Sequence, residues 1–245
     1  GLNGRLAGND ILNTITLGAF AGMLMVIIAY RVIILNSPML HLFNCIPFFV
    51  AIVVLVLSLS RGAMLATAVV MYMIFFSKSN VKSTYRNLAI LLLMGIGLFV
   101  VFNSDLGMAT SRIAIDIGDE DSDGEARVVL WVLAIQKIIN YPIFGSSVTT
   151  SIGYVHNIYL ESIMAAGLFA SLLLFYPIWS VRSKMNKLSK IKSPVSLSVY
   201  LFIFHATACI FSGTIYNSEY FWITLAIALN SLQERNASYL TREGV

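Results

Sequence analysis

The chain has 245 residues, of which 58% are hydrophobic and only 11% are charged, and its mean hydropathy is +0.82. A soluble domain carries roughly 25% charged residues, so this chain has too little charge to cover a globule of its size. These figures exclude a soluble single domain, a disordered chain and a nucleic-acid-binding module. They predict an all-α polytopic membrane protein, whose net charge of +4 is typical of basic cytoplasmic loops.

Seven apolar runs of about the 20 residues that span a bilayer predict seven transmembrane helices. They cover residues 12–33, 39–59, 62–77, 86–102, 157–180, 196–213 and 219–233. Pro47 and Pro177 fall inside two runs, where packed neighbouring helices can satisfy the backbone groups that proline frees. We expect membrane helices 1–4 within residues 1–102, membrane helices 5–7 within 157–233, and a cytoplasmic tail at 234–245.

Residues 103–156 interrupt this pattern with a polar and acidic segment. Within it, 124–140 has the pattern of a helix, but its apolar run from Val128 to Ile135 is too short to cross a membrane. The segment therefore predicts a loop domain outside the bilayer, which the family resemblance given below places in the periplasm, with a helix that lies at the interface or covers the membrane domain.

The loop charges predict the orientation of the seven spans. Eleven of the sixteen Lys and Arg residues fall on one side: Arg31, Lys78, Lys82, Arg86, Arg182, Lys184, Lys187, Lys190, Lys192, Arg235 and Arg242. The other five are Arg5, Arg61, Arg112, Arg127 and Lys137. Because positive loops stay in the cytoplasm, the side with eleven cations is predicted to be cytoplasmic.

The few cations on the outer side are candidate functional residues. Arg61 stands between two spans with almost no loop, at the membrane boundary, where it either snorkels to lipid headgroups or clamps an anion with its planar fork. Arg127 either pairs with a nearby acid such as Asp123 or binds the same anion. Arg5 precedes the first span as a loop cation or a third anion ligand, and Lys137 is interpreted as an ordinary surface cation.

His156 lies at the mouth of the fifth span, as a residue of the interface or as a base near neutral pH. Glu161 lies one helical turn below Asn157 on the same helical face. A carboxylate within a span usually faces a partner or a cavity, and Arg61 or Arg5 is the expected partner.

The remaining histidines and cysteines show no ligand pattern. His41 lies near the cytoplasmic end of its span and His205 in the middle of another, each without a companion. Cys45 and Cys209 fall inside apolar runs, where a free thiol behaves as a small hydrophobe. We therefore expect no metal site and no cofactor.

Four segments in order resemble the O-antigen ligase/polymerase family of bacterial inner-membrane glycan transferases. They are Arg5 with GND at 8–10, LSLSRGA at 57–63, the stretch from RVVLW at 127–131 to YPIFG at 141–145, and HNIYL at 156–160 followed by Gly167. The chain departs from the family pattern at Ser147, where a second glycine is usual, and at Ala166, where an acid is common. Family members usually have about a dozen spans, so we expect the chain to be the C-terminal part of a longer enzyme.

The resemblance implies a metal-independent, inverting glycosyltransferase with the fold of polytopic lipid-sugar transferases. Its donor is a glycan on undecaprenyl diphosphate at the periplasmic face of the inner membrane, and its acceptor is a sugar hydroxyl on a second glycan or on lipid A–core. The partners implied are these substrates and membrane lipids, without nucleic acid.

The resemblance also implies roles for individual residues. Arg61 and Arg127 match the family arginines that stabilise the leaving diphosphate, with Arg5 as a third candidate, and His156 matches the family histidine that deprotonates or orients the acceptor hydroxyl. Asn157, Tyr159 and Glu161 are then candidate substrate-binding residues. We expect Arg61, Arg127 and His156 to converge on one outward-facing cavity.

Three alternatives remain open. Within the family, the motifs do not separate a ligase from a polymerase. A transporter or flippase would carry paired charges at the bilayer midplane or short broken helices. A membrane scaffold would have scattered outer cations.

Overall fold

The computed structural model of the chain describes residues 14–35, 41–58, 60–77, 123–188 and 194–240. These residues form seven helices and no strand: α1 Thr14–Ala29, α2 His41–Ser58, α3 Arg61–Ser77, α4 Asp123–Asn140, α5 Ile158–Leu188, α6 Pro194–Ala208 and α7 Glu219–Leu240. A π-helical turn, Tyr30–Ile34, extends α1. The all-α class is confirmed for this part of the chain, and Pro47 and Pro177 lie inside helices as predicted.

Two helical stretches, Ile15–Ile34 and Ile158–Val181, are long and apolar enough to cross a membrane. Shorter apolar stretches are Cys45–Ser58, Arg61–Phe75, Val129–Asn140 and Leu197–Ala208. The predicted span 86–102 lies outside the described residues, as do Arg5 and Arg112. The structure is therefore that of a helical chain with two candidate membrane spans, and the seven-span topology stays a prediction.

Several helix ends meet at one end of the bundle, which we call the upper end. Gly18 in α1 packs against Ser58 and Ser60, so α1 begins where α2 ends and α3 begins. Gly62 in α3 lies against the carbonyl of Ala208, the last residue of α6. The amide of Ile158, which begins α5, donates a hydrogen bond of 3.2 Å to the carbonyl of Cys209. The helices α1, α2 and α3 thus alternate in direction, and so do α5 and α6, as helices that cross a membrane in succession must.

Small residues let α1, α3 and α6 approach closely, as in membrane-helix packing. A Cβ on Gly22 would lie 2.8 Å from the Phe204 ring, so only glycine fits at this crossing. Around it, Val26, Ala66 and Val70 are fully or nearly fully buried in one core. A second core joins α5, α6 and α7.

The helix α4 runs beside the first half of α5 in the same direction. At its middle, the Trp131 indole N–H donates a 3.1 Å hydrogen bond to the carbonyl of Val155, just before α5. Farther along, Ala134 and Met164 are fully buried in a shared cluster. Just beyond the end of α4, Pro142 accepts a 2.8 Å hydrogen bond from the amide of Leu168. The sequence predicts the helix and nearly its bounds, but not this alignment with a candidate membrane span.

The predicted fifth span is interrupted, because α5 breaks at Gly167, where φ is 73° and ψ is 175°. The loop after α4 fills the break. The backbone amide of Leu168 donates a hydrogen bond to the carbonyl of Pro142, and the backbone amide of Ser146 donates one of 2.8 Å to the carbonyl of Met164. Gly167 packs directly on the backbone of Ile143. The sequence did not predict this break, although the stretch Ile158–Val181 is long and apolar enough to cross a membrane, as the predicted fifth span requires.

The predicted sixth span, 196–213, extends beyond the end of the helix that the structure shows there. Its helix stops at Ala208, and residues 209–213 turn back toward α5. Gly213 is buried in this turn, where a Cβ would lie 3.0 Å from Cys209 and Ser218. The apolar composition continues past the helix because the turn itself is packed inside the protein.

Candidate functional site

The connection between α6 and α7, residues 209–218, organises the upper end. We call it the α6–α7 connection. Its Cys209 carbonyl accepts a 3.2 Å hydrogen bond from Ile158, and its Gly213 amide donates a 3.3 Å hydrogen bond to the carbonyl of His156. Two backbone hydrogen bonds therefore hold the chain on both sides of Asn157.

The beginning of α3, where Arg61 lies, packs against the same connection. Arg61 is the first residue of α3, and only residues 59 and 60 separate it from the end of α2. This agrees with the prediction of almost no loop between the two spans. A Cβ on the next residue, Gly62, would lie 3.2 Å from the Cβ of Phe211 and 3.3 Å from the carbonyl of Ala208. The Arg61 side chain is exposed, which fits the predicted boundary position.

Arg127 is carried by α4, one helical turn before Trp131. Its own side chain lies outside the described part of the structure, as does that of Asp123. The Trp131 ring is 6.3 Å from the ring of Phe211, measured between centroids. Phe211 thus lies between Gly62 of α3 and Trp131 of α4, and the elements that carry Arg61, Arg127 and His156 meet at one connection.

His156 has a backbone conformation that sequence reasoning did not foresee. Its φ is 54°, the only positive φ of a non-glycine residue among those described. A left-handed residue with a side chain costs roughly 1–2 kcal/mol, and such strain concentrates at functional sites. The hydrogen bond from Gly213 holds this conformation, and the side chain is exposed.

Asn157 and Tyr159, two of the candidate substrate-binding residues, use their polar groups within the protein. The Asn157 side-chain oxygen accepts hydrogen bonds from the amides of Tyr159 at 3.0 Å and Leu160 at 3.1 Å. Asn157 is thereby the N-cap of α5. The Tyr159 hydroxyl donates a 2.7 Å hydrogen bond to the carbonyl of Ala206. These bonds fix the first turn of α5 directly after His156.

Glu161 is fully buried. Neither carboxylate oxygen has a hydrogen-bond partner among the described residues. The backbone of Ile215 interacts electrostatically with this carboxyl group without completing a hydrogen bond. Arg61, one of the two predicted partners, therefore donates no hydrogen bond to Glu161, and the other predicted partner, Arg5, lies outside the described residues.

Each of three residues outside this group makes a specific contact within the protein. His205 lies near the end of α6 rather than in its middle, and its Nε2 is 3.0 Å from the Met23 sulfur. Burial raises the pKa of the Cys209 thiol to about 11, against the lowering effect of a hydrogen bond with Ser218, so the thiol is protonated at neutral pH. Lys137 is not an ordinary surface cation, because its Nζ bonds to Ser147 and Thr149.

An apolar cavity of about 180 Å³ lies at the opposite end of the bundle, between the ends of α1 and α3 and the beginning of α2. Ile33, Cys45 and Phe75 are among its lining residues. It is distant along α3 from Arg61, and the expected outward-facing cavity around Arg61, Arg127 and His156 stays a prediction.

Residues 46–175 match the family model described as O-antigen ligase. This stretch includes Arg61, Arg127, His156 and Glu161, whereas Arg5 precedes it. No curated protein and no solved structure matches the chain significantly. The family is membrane-integral, and the two long apolar helices fit insertion into a membrane. The match covers more than half of the chain, and the chain therefore belongs to the O-antigen ligase family.

Proposed function

We propose that the protein is an inner-membrane glycosyltransferase of O-antigen biosynthesis. It moves a glycan from undecaprenyl diphosphate to an acceptor sugar hydroxyl at the periplasmic face. Membership of the O-antigen ligase family supports glycan processing as the general activity. The acceptor is either another lipid-linked repeat unit or lipid A–core.

The meeting of three elements at the α6–α7 connection carries this proposal. Gly62 and Trp131 flank Phe211, and Gly213 holds the carbonyl of His156. Arg61 begins the first of these elements, Arg127 lies one turn before Trp131, and His156 belongs to the third. The chain thus supplies two cations and a candidate base at one end of the bundle.

His156 is the proposed general base. As the acceptor oxygen forms its bond to the anomeric carbon, the imidazole takes the hydroxyl proton. The bond between that carbon and the diphosphate oxygen breaks on the opposite face, and its electron pair leaves with undecaprenyl diphosphate. One displacement of this kind inverts the anomeric centre, and the imidazolium then releases its proton to water.

The proposed role of Arg61 and Arg127 is to stabilise the charge that grows on the diphosphate. A guanidinium group donates two parallel hydrogen bonds to phosphate oxygens and keeps its charge at every working pH. Because Arg61 is the first residue of α3, a phosphate beside it would also face the positive end of that helix. Fixed charge of this kind acts most strongly in the transition state, and Arg5 is a further candidate for it.

A transfer assay with the purified full-length protein tests the proposal. The substrates are lipid-linked repeat units, offered with and without lipid A–core, and the products are separated by size. A ladder of repeats without core identifies a polymerase, and product only with core identifies a ligase. Absence of transfer under both conditions, from protein that binds the donor, contradicts the proposal.

The break of α5 at Gly167 is the observation that favours a transporter or flippase, because broken helices form substrate sites in many transporters. Here the backbone of Ile143 packs directly on Gly167, and the Pro142–Leu168 hydrogen bond closes the gap. A substrate would have to displace this loop to bind there. Movement of a labelled lipid-linked glycan across vesicles without glycosyl transfer would establish the transporter instead.

A further inference from the structure

We infer that α4 and the segment 141–155 form a re-entrant element that enters the membrane leaflet on the His156 side and contacts lipid acyl chains. The element descends along α4, turns beside Gly167 of α5 and returns to Val155. This interaction surface is separate from the residues proposed for the chemistry.

The depth of the element follows from its contacts with α5. Gly167 is nine residues beyond Ile158, which is about 14 Å along a helix axis. That is close to half of a hydrocarbon core of roughly 30 Å. Because Pro142 bonds to Leu168 and Ser146 bonds to Met164, the turn of the element lies at this depth of the candidate span.

One face of α4 carries exposed apolar side chains along its described length, with the exposed Gln136 among them. Val129, Val132, Ile135 and Ile139 expose 50%, 49%, 46% and 70% of their surface, at spacings of three and four residues that place them on one side of a helix. Ala134, between them in the sequence, is fully buried. The helix therefore has an inner face toward α5 and an outer face that no described residue covers.

Exposed apolar side chains also occur at the turn and on α5. Phe144, at the turn, is 86% exposed. Directly after the Gly167 break, exposed apolar side chains continue down α5: Leu168, Phe169, Leu172, Leu173, Tyr176 and Trp179. Water-facing surfaces rarely carry apolar patches of this extent. Since the α5 part belongs to a candidate span, the same lipid that covers it covers the stripe on α4.

Two polar side chains of α4, Trp131 and Lys137, are hydrogen-bonded within the element, as a lipid environment favours, whereas Gln136 and Asn140 are exposed. Lys137 Nζ donates to Ser147 Oγ at 2.7 Å and to the carbonyl of Thr149 at 2.8 Å, both in the returning segment. The Trp131 N–H is bonded to Val155. The cation near the deep end of α4 is thus held by the returning segment.

This placement has a consequence for Arg127. It precedes the lipid-facing stripe on α4, near the upper end where His156 lies. If the stripe lies among acyl chains, Arg127 stands at the level of lipid headgroups. A diphosphate attached to a membrane lipid lies at that level.

Nitroxide labels at single cysteines test the inference in the full chain in lipid nanodiscs. Cys45 and Cys209 are first replaced by alanine, and labels are placed through Ile139→Cys and Phe144→Cys. Leu173→Cys on α5 is the lipid reference, and Asn217→Cys in the α6–α7 connection is the water reference. Collisions with oxygen, which enters lipid, are compared with collisions with a polar nickel complex, which does not.

We expect the labels at 139 and 144 to match the label at 173, with nickel accessibility roughly tenfold lower than at 217 because hydrocarbon excludes the polar complex. If the labels at 139 and 144 were as accessible to nickel as the label at 217, the inference would be overturned. Low accessibility to both reagents would also overturn it, since another protein segment or a second copy would then cover the stripe. A water-like label at 173 would remove the membrane placement of α5 and the inference with it.

A second measurement leaves the sequence unchanged, in case the cysteine-free background fails to fold. The unmodified protein is reconstituted with a phospholipid that carries a photoreactive group deep in its acyl chain, and labelled peptides are identified by mass spectrometry. We expect adducts in both 129–144 and 168–179. Adducts in the second range with none in the first would contradict a lipid-facing α4.

Discussion

The backbone amide of Gly213 donates a hydrogen bond of 3.3 Å to the carbonyl of His156. This contact joins two residues that are far apart in the sequence, and it holds the one described side-chain-bearing residue with a positive φ. The position of the imidazole is therefore set by the α6–α7 connection as well as by α5. Any substrate group that reaches His156 does so beside this connection.

Substitutions at His156 separate the catalytic role of its side chain from the loss of stability that its positive φ causes. Removal of a general base lowers turnover by roughly 10²–10⁴-fold, and we expect this loss in His156→Ala, His156→Gly and His156→Asn alike. The alanine variant should be less stable than the glycine variant by about 1 kcal/mol, because glycine adopts positive φ without strain. Glycosyl transfer and thermal unfolding measure the two effects, and normal turnover in His156→Asn would remove the assignment of a base.

Arg61→Lys tests whether a planar fork is needed as well as a positive charge. We expect kcat to fall by roughly 10²–10³-fold, the usual effect of removing a donor to a developing anion, since lysine cannot form the bidentate contact. Arg31→Lys is the matched control, because Arg31 is also exposed but lies in the turn at the far end of α1. Equal turnover in both variants would argue against a phosphate clamp.

Alanine substitutions at three glycines test the loop that fills the break in α5. Gly145 and Gly167 have positive φ and face backbone atoms, and a Cβ on Gly145 would lie 2.5 Å from the backbone of Ala165. Gly153 also has a positive φ, but a Cβ there meets nothing within 4 Å. We expect Gly153→Ala to cost about 1 kcal/mol and the other two to cost clearly more, as measured by thermal unfolding in detergent. Equal losses at all three positions would mean that the loop is not packed in the break.

Glu161→Gln tests the isolation of the buried carboxyl group. A buried charge without a partner destabilises the folded protein. If the charge belongs to a buried ion pair, however, removal of one partner lowers the free energy of unfolding by roughly 3–5 kcal/mol. Because no described group bonds to this carboxyl, we expect Glu161→Gln to leave the unfolding temperature unchanged or to raise it. A marked fall in that temperature would reveal an ionic partner for Glu161, for which Arg5 is the first candidate.

The sequence predicts the helices well because helix formation in this chain depends on local composition. Apolar runs alone locate the start of α3 within one residue of Arg61 and the start of α5 within one residue of Ile158. The short run from Val128 to Ile135 likewise predicts a helix that does not cross the membrane. The ordered motifs also predict the family, which the match over residues 46–175 confirms.

The candidate site is only partly visible in the sequence. The charges of Arg61 and Arg127 and the position of His156 mark them as candidates, because few ionisable residues occur near the ends of apolar runs. Asn157 is also a polar residue at the end of an apolar run, but in the structure its side chain caps α5. Composition cannot tell a polar group that binds a ligand from one that terminates a helix.

By itself the sequence determined the helical class, the approximate helix bounds and the family, since these follow from local hydrophobicity and from short motifs. The tertiary structure decided the break at Gly167, the left-handed conformation of His156 and the alignment of α4 with α5. Each of these depends on a contact between distant residues, such as the hydrogen bond from Leu168 to Pro142 or from Gly213 to His156. A non-local contact can hold a backbone conformation that local preference disfavours, and only the folded chain brings its two partners together.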